Sequence, residues 1–226
     1  MIRLHAVVEG KTEERFLREV LAPEFGAQGI FVDVHRITTA RTKLQIFRGG
    51  VLGYGQLKSD LMQWMKQDQH SDAWFTTMVD LYALPQDFPG YDLCMRHTDP
   101  IQRVECLEER MHRDLSHRRF IPYIQLHEFE ALLFSEPKWF ETVFPGRPVA
   151  IQRLAEILSE FKSPEHIDDR PDQAPSKRIL NILPDYRKPV AGPRIAGQIG
   201  LSKLRQECPH FHQWITRIQS VAAATR

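Results

Sequence analysis

Four short apolar runs, separated by helix-length amphipathic segments, constrain this chain more than any other feature. The first, Ile2 to Val8, is β-branched and stops at Glu9-Gly10, the pattern of a buried strand meeting a turn. Thr12 can cap a helix there, with Glu13 and Glu14 in the first turn where the dipole favours acids. Phe16, Leu17, Val20 and Leu21 give that helix one apolar face. Ile30 to Ile37 alternates and predicts a second strand, and Leu57, Leu61, Trp64 and Met65 predict a second helix. Trp74 to Val79 predicts a third strand ending at Asp80, and Ile101, Val104, Leu107, Met111 and Leu115 predict a third helix. Phe120 to Leu126 predicts a fourth strand, which runs into His127-Glu128-Phe129-Glu130, with Ala131 to Phe134 opening a helix.

Strand–helix alternation of this kind predicts an α/β fold with a mainly parallel sheet covered by helices. Beyond Phe140 the character changes. Ala150 to Phe161, Ile179 to Leu183, Ile195 to Leu204 and Cys208 to Ala224 predict helices, with a Pro-punctuated loop from Lys162 to Ser176. The expected organisation is an α/β core over residues 1–140 and a helical lobe over 141–226 packed on it.

Composition narrows the function classes. Thirty Lys+Arg against twenty-nine Asp+Glu give a net charge of +1, which excludes a uniformly basic nucleic-acid coat. Any nucleic-acid contact therefore needs a local patch. Arg41, Lys43 and Arg48 in the Gly-rich stretch after the second strand form one candidate, and Lys177, Arg178, Arg187, Lys188 and Arg194 another. The latter flank Gly192 and prolines, so a loop is expected. Three Cys, at 94, 106 and 208, are too scattered for a disulfide framework, and Cys94 and Cys106 read as buried neutral side chains in a reduced, cytoplasmic setting. No run approaches the roughly 18 apolar residues of a membrane span, and no secretory leader is evident.

In an open parallel sheet, ligands bind at the carboxyl ends of the strands. Three of the four strands place acids there: Glu9, Asp80, and Glu128 with Glu130. Neighbouring strand ends lie about 5 Å apart, so these carboxylates can converge. Converging carboxylates repel unless a cation neutralises them, and hard oxygen donors suit Mg²⁺ or Mn²⁺. The Gly-Lys-Thr of Gly10 to Thr12 is not a phosphate-binding P-loop, because the G-x-x-x-x-G-K-[ST] spacing is absent. No His-Glu-x-x-His or Gly-x-Ser-x-Gly frame occurs either.

Three segments carry a resemblance. Val7-Val8-Glu9-Gly10-Lys11-Thr12-Glu13-Glu14-x-Phe16-Leu17 is similar to the first signature of Toprim-like proteins. Thr77-Met78-Val79-Asp80-Leu81-Tyr82 sits where those proteins have Asp-x-Asp, and His127-Glu128-Phe129-Glu130-Ala131-Leu132-Leu133-Phe134 resembles a segment of the bacterial DUF4276 family. The resemblance covers nearly the whole chain. It implies a Toprim-like sheet and a Mg²⁺- or Mn²⁺-dependent nuclease subunit acting on DNA or RNA. It also implies a phage-defence setting and a partner ATPase of the ABC or OLD/RecF type.

On this reading Glu9, Asp80, Glu128 and Glu130 are the metal ligands and Glu9, Asp80 and Lys188 the catalytic set. Lys188 enters because Toprim nucleases use a Lys near the metal. Lys11, Arg41, Lys43, Lys177 and Arg178 are the expected nucleic-acid contacts. One departure counts against catalysis: Tyr82 replaces the second Asp, and a phenol is a poor Mg²⁺ ligand. The competing expectation is a non-catalytic sensor or adaptor that binds the partner ATPase.

Overall fold

The computed structural model describes residues 1–37, 53–167 and 173–224. Five strands, β1 (Ile2–Val8), β2 (Ile30–Arg36), β3 (Ala73–Asp80), β4 (Phe120–Ile121) and β5 (Ile124–Gln125), pair in parallel. The order is β2-β1-β3-β4, with β5 also on β3. The fold is therefore α/β, a parallel sheet flanked by helices.

Alternation along β1 divides its side chains between two cores. Ile2, Leu4, Ala6 and Val8 face one cluster, and Val7 faces the other. On the first side pack α1 (Lys11–Phe16), continued by a π turn at Leu17–Leu21, and α2 (Ala22–Gly26). Leu57 and Leu61 of α3 (Tyr54–Gln67), Cys94 of α4 (Tyr91–Cys94), and Val104 and Leu107 of α5 (Pro100–Leu115) pack on the second. The remaining helices are α6 (Pro148–Ser159), α7 (Pro175–Ile182), α8 (Lys188–Ile199), α9 (Leu201–Glu207) and α10 (Pro209–Ala224). The first cluster runs from Ile2 to Ala222, across the 140/141 boundary. Among the described residues, no helix is long and apolar enough to cross a membrane.

Five local expectations are corrected. The fourth strand is split at Pro122-Tyr123, because proline brings no N–H to the ladder. Threonines of β3 fill the gap: Thr76 Oγ1 lies 2.6 Å from the Ile121 carbonyl, and Tyr123 N–H donates to Thr77 Oγ1 at 3.0 Å. The segment after β5 is a 3-10 turn, Phe129–Ser135, entered through His127 at φ 59.

The basic stretch is helical rather than loop, since Lys177 and Arg178 lie in α7 and Lys188 and Arg194 in α8. Pro193 interrupts α8 internally and supplies no N–H for the Pro189 carbonyl four residues back. Arg15 Nη1 of α1 donates to that carbonyl at 2.7 Å. Gly200, at φ 78, then ends α8 and separates it from α9, dividing the single helix expected over Ile195 to Leu204. Finally, Cys94 and Cys106 are disulfide-bonded, tying α4 to α5, while Cys208 is free and buried. A separation of 12 residues hides the pair in sequence, but the turn between the helices brings the Cα atoms to 5.5 Å.

A second group of buried acids holds the sheet to α5 and α10. Glu165 is fully buried and accepts from the N–H groups of His210 and Phe211, both at 2.9 Å. This is a carboxylate on the open end of α10, where unpaired amides and the dipole favour it. Glu108 Oε1 accepts from Ile124 N–H at 2.8 Å and lies 3.0 Å from His210 Nε2. His127 Nε2 is 3.0 Å from the Glu165 carbonyl oxygen.

Candidate active site

The carboxyl ends of β1 and β3 lie side by side, so Glu9 and Asp80 meet: Asp80 N–H donates to Glu9 Oε2 at 3.3 Å. Glu9 leads through Gly10 into α1, whose first turn carries Glu13 inward, 6% exposed. A Cβ on Gly10 would lie 3.0 Å from Glu13 Oε2, a tight contact that the Glu13 carboxylate would have to yield to, while its φ of −145 is open to any residue. The turn after β5 delivers Glu128 and Glu130, both buried. Glu128 Oε2 accepts from Ser176 N–H at the start of α7 at 2.9 Å, and Glu130 Oε1 from the Tyr186 hydroxyl at 3.1 Å.

Lys188, the first residue of α8, closes the arrangement. Its Nζ lies 2.9 Å from Glu130 Oε2 and 3.5 Å from Glu128 Oε1. α8 approaches this closely because residue 192 is glycine. A Cβ there would stand 2.9 Å from Phe129 Cε1 and 3.1 Å from the Tyr186 hydroxyl.

The electrostatics follow from this crowding. Burial raises the Asp80 carboxyl well above the usual range, and the charges of Glu13, Glu9 and Glu130 raise it further against Lys188. Burial likewise pushes Glu13 up to about 7; its own amide opposes the shift, while Glu9 and Glu130 add to it. Glu9 and Glu130 are raised for the same first reason, with Lys188 opposing both. Burial disfavours the Lys188 charge, but Glu130, Glu128 and Asp80 outweigh this and raise it. Burial is the first cause at all four raised carboxyls, and repulsion from neighbouring carboxylates adds to it.

The residues fit a hard cation. Asp80 Oδ1 is sealed from solvent and has no hydrogen-bond partner, although the residue as a whole is partly accessible. An unmet carboxylate oxygen among like charges has the chemistry of a ligand for a hard divalent cation. The carboxylates do not form a closed cage, since no three of them bring oxygens within 4.8 Å of one another among the described residues. Mg²⁺ is suited to that, because it keeps several waters and takes only one or two carboxylates beside substrate phosphate.

The structure thus brings together Glu9, Asp80, Glu128, Glu130 and Lys188. Lys11 and Lys177 are exposed, in the first turns of α1 and α7. Arg178 is committed elsewhere, to the Gln173 carbonyl at 2.8 Å, the Gln173 side chain at 3.0 Å and the Phe161 ring. Arg41, Lys43 and Arg48 lie outside the described residues. Tyr82 is 48% exposed on a 3-10 turn, Leu81–Ala83.

Sequence reasoning missed Glu13 as a member of the cluster, having taken it for a dipole-favoured acid, and missed Tyr186. The spacing of Glu9 and Glu13 across one turn was a usable signal; nothing local marks Tyr186. A surface cleft of about 720 Å³, lined by Arg205, His212 and Gln219 among others, holds none of these acids.

No curated protein matches the chain. Among solved structures it is similar to the C-terminal region of the Xanthomonas campestris pv. campestris OLD protein. That likeness has 15% identity and a TM-score of 0.45, and covers 100% of this chain and 98% of the other. The family model described as a domain of unknown function, DUF4276, matches residues 8–219. Over that span lie the strand-end acids, Tyr186 and Lys188, and the chain belongs to the DUF4276 family.

Proposed function

We propose that this chain is a Mg²⁺- or Mn²⁺-dependent subunit that cleaves phosphodiester bonds in DNA or RNA. The observation that carries this reading is the sealed, unpartnered Asp80 Oδ1 set in the field of Glu9, Glu13 and Glu130. Asp80 with one neighbouring carboxylate, Glu9 or Glu130, would hold the ion, and Glu128 lies beside them. A divalent ion bound there supplies Lewis-acid stabilisation of charge on the phosphate. The chain's own residues do the rest. Tyr186 and Ser176 N–H orient Glu130 and Glu128. Lys188, its side chain 38% exposed, is near enough to exchange a Glu partner for a phosphate oxygen. Lys11 and Lys177, exposed in two helix first turns, would meet the backbone of the nucleic acid. A partner ATPase and a phage-defence role rest on the family resemblance alone.

The test is Mg²⁺ and Mn²⁺ titration of wild type and Asp80→Asn by calorimetry, with and without a short oligonucleotide, alongside cleavage assays on DNA and RNA. Binding and cleavage should be lost in Asp80→Asn, and cleavage in Glu9→Gln. Full activity in both variants would sink the assignment.

One observation favours a second reading, a non-catalytic adaptor for the partner ATPase. Tyr82, where an acid is expected, turns to solvent. In that case Glu9→Gln leaves function in cells intact, and substitutions on the helices after residue 140 abolish partner binding.

A further inference from the structure

A separate constellation lies on the other face of the sheet, toward α3. In the parallel register His5 of β1 stands opposite Asp33 of the edge strand β2, and His35 follows two residues on, on the same face. His5 Nδ1 and His35 Nε2 are 3.2 Å apart. Asp33 Oδ2 lies 3.2 Å from His35 Nε2 and 3.8 Å from His5 Nδ1. All three ligand atoms fall within 4.8 Å of one another. Zn–N and Zn–O bonds of roughly 2.0–2.1 Å set the edges of a tetrahedron at about 3.3 Å, close to these separations.

The surroundings orient the rings as metal-binding histidines are oriented. His5 Nε2 lies 2.8 Å from Asp68 Oδ2, and Asp68 is also held by Arg3, 2.8 Å from Nη1 to Oδ2. A carboxylate so paired accepts, which puts the His5 proton on Nε2 and leaves the Nδ1 lone pair facing His35 and Asp33. His35 stacks on Trp64 with centroids 3.5 Å apart, and His5 packs on Phe75 at 5.2 Å. Both imidazoles are nearly buried, whereas the Asp33 side chain is 57% exposed, so a fourth position opens to solvent. Nothing in the carboxylate cluster is involved, since His5 precedes Glu9 by four residues, about 13 Å along a strand.

We propose that His5, Asp33 and His35 bind Zn²⁺, with Asp68 orienting His5, and that the ion fastens β2 to β1. Two imidazoles and one carboxylate are a borderline-soft set that selects Zn²⁺ over Mg²⁺. The site is independent of the proposed nuclease centre.

The experiment is calorimetric titration of chelator-stripped protein with ZnCl₂ at neutral pH. Visible absorption of the Co²⁺-loaded protein is measured in parallel. Wild type and Asp80→Asn should each take up one equivalent, with intense Co²⁺ bands typical of four-coordination. His35→Gln and Asp33→Asn, both at positions partly open to solvent, should lose those bands and weaken binding at least tenfold. Asp68→Asn should weaken it roughly 10–100-fold. Zn²⁺ uptake unaffected in both His35→Gln and Asp33→Asn, or no uptake by wild type, overturns the proposal. Uptake that vanishes only in Asp80→Asn assigns the ion to the carboxylate cluster and overturns it equally.

Discussion

Two groups of buried acids occupy opposite situations in this molecule. Glu165 has each oxygen on a backbone N–H of α10, and Glu108 bridges β5 and His210. At the strand ends, Glu9, Glu13, Asp80 and Glu130 crowd one another, with Lys188 as their close counter-charge and one Asp80 oxygen unmet. Burial alone does not distinguish them. The difference is whether the protein itself completes the donors. Where it does, the acid is part of the architecture; where it does not, the fold tolerates a cost that something from outside can relieve.

That contrast can be broken by substitution. The largest effect is expected at the open group, where Asp80→Asn should lower cleavage by about 10³-fold or more, the scale of losing a charge-stabilising group. The same change removes one of several repelling buried charges, so its melting temperature should hold or rise. A steep fall would place Asp80 with the architectural acids. Glu165→Ala should do the reverse, leaving two α10 amides unmet at a cost of about 3 kcal/mol. For a chain this size that lowers the melting midpoint by roughly 6–12 °C. Unchanged stability would erase the distinction.

Gly192→Ala sharpens the comparison without touching a carboxylate. Its Cβ meets Phe129 and the Tyr186 hydroxyl, so about 1–3 kcal/mol of overpacking is expected. Weaker metal binding should follow as Glu130 loses its orientation, and calorimetry on the folded variant reads this directly.

The smallest effect is one of pH. Burial disfavours the His210 charge, but Glu108, its hydrogen bond and Glu165 outweigh this and raise the pKa. The unfolded chain releases that proton at lower pH, so the ion pair's contribution is complete below the ordinary His range. It disappears as pH rises through the raised folded value. Denaturant titrations across that window should show stability falling in wild type, and a flatter profile in His210→Gln.

The sheet and its acidic ends were legible because a short apolar run and a stop at an acid are local signals. Glu9, Asp80, Glu128 and Glu130 each sit where an apolar run ends. Glu13 was visible but ambiguous, since an acid in a first turn serves the helix dipole equally well. The pairing of Glu108 with His210 spans 102 residues and is dictated by topology alone. Prolines misled most: those around Lys188 read as loop, yet α8 forms because a side chain from α1 supplies the hydrogen bond that Pro193 cannot. Pro122, by contrast, did break its strand, with threonine hydroxyls repairing the break.

The Arg15 bond to the Pro189 carbonyl has a mechanical consequence. It links the helix that carries Glu13 to the one that begins with Lys188, so neither end can shift without transmitting its motion to the other. In a deep mutational scan scored on activity, Arg15 should therefore group with the strand-end acids, though it contacts none of them. Lysine at that position, lacking the guanidinium's second arm for Glu19, should rescue only in part.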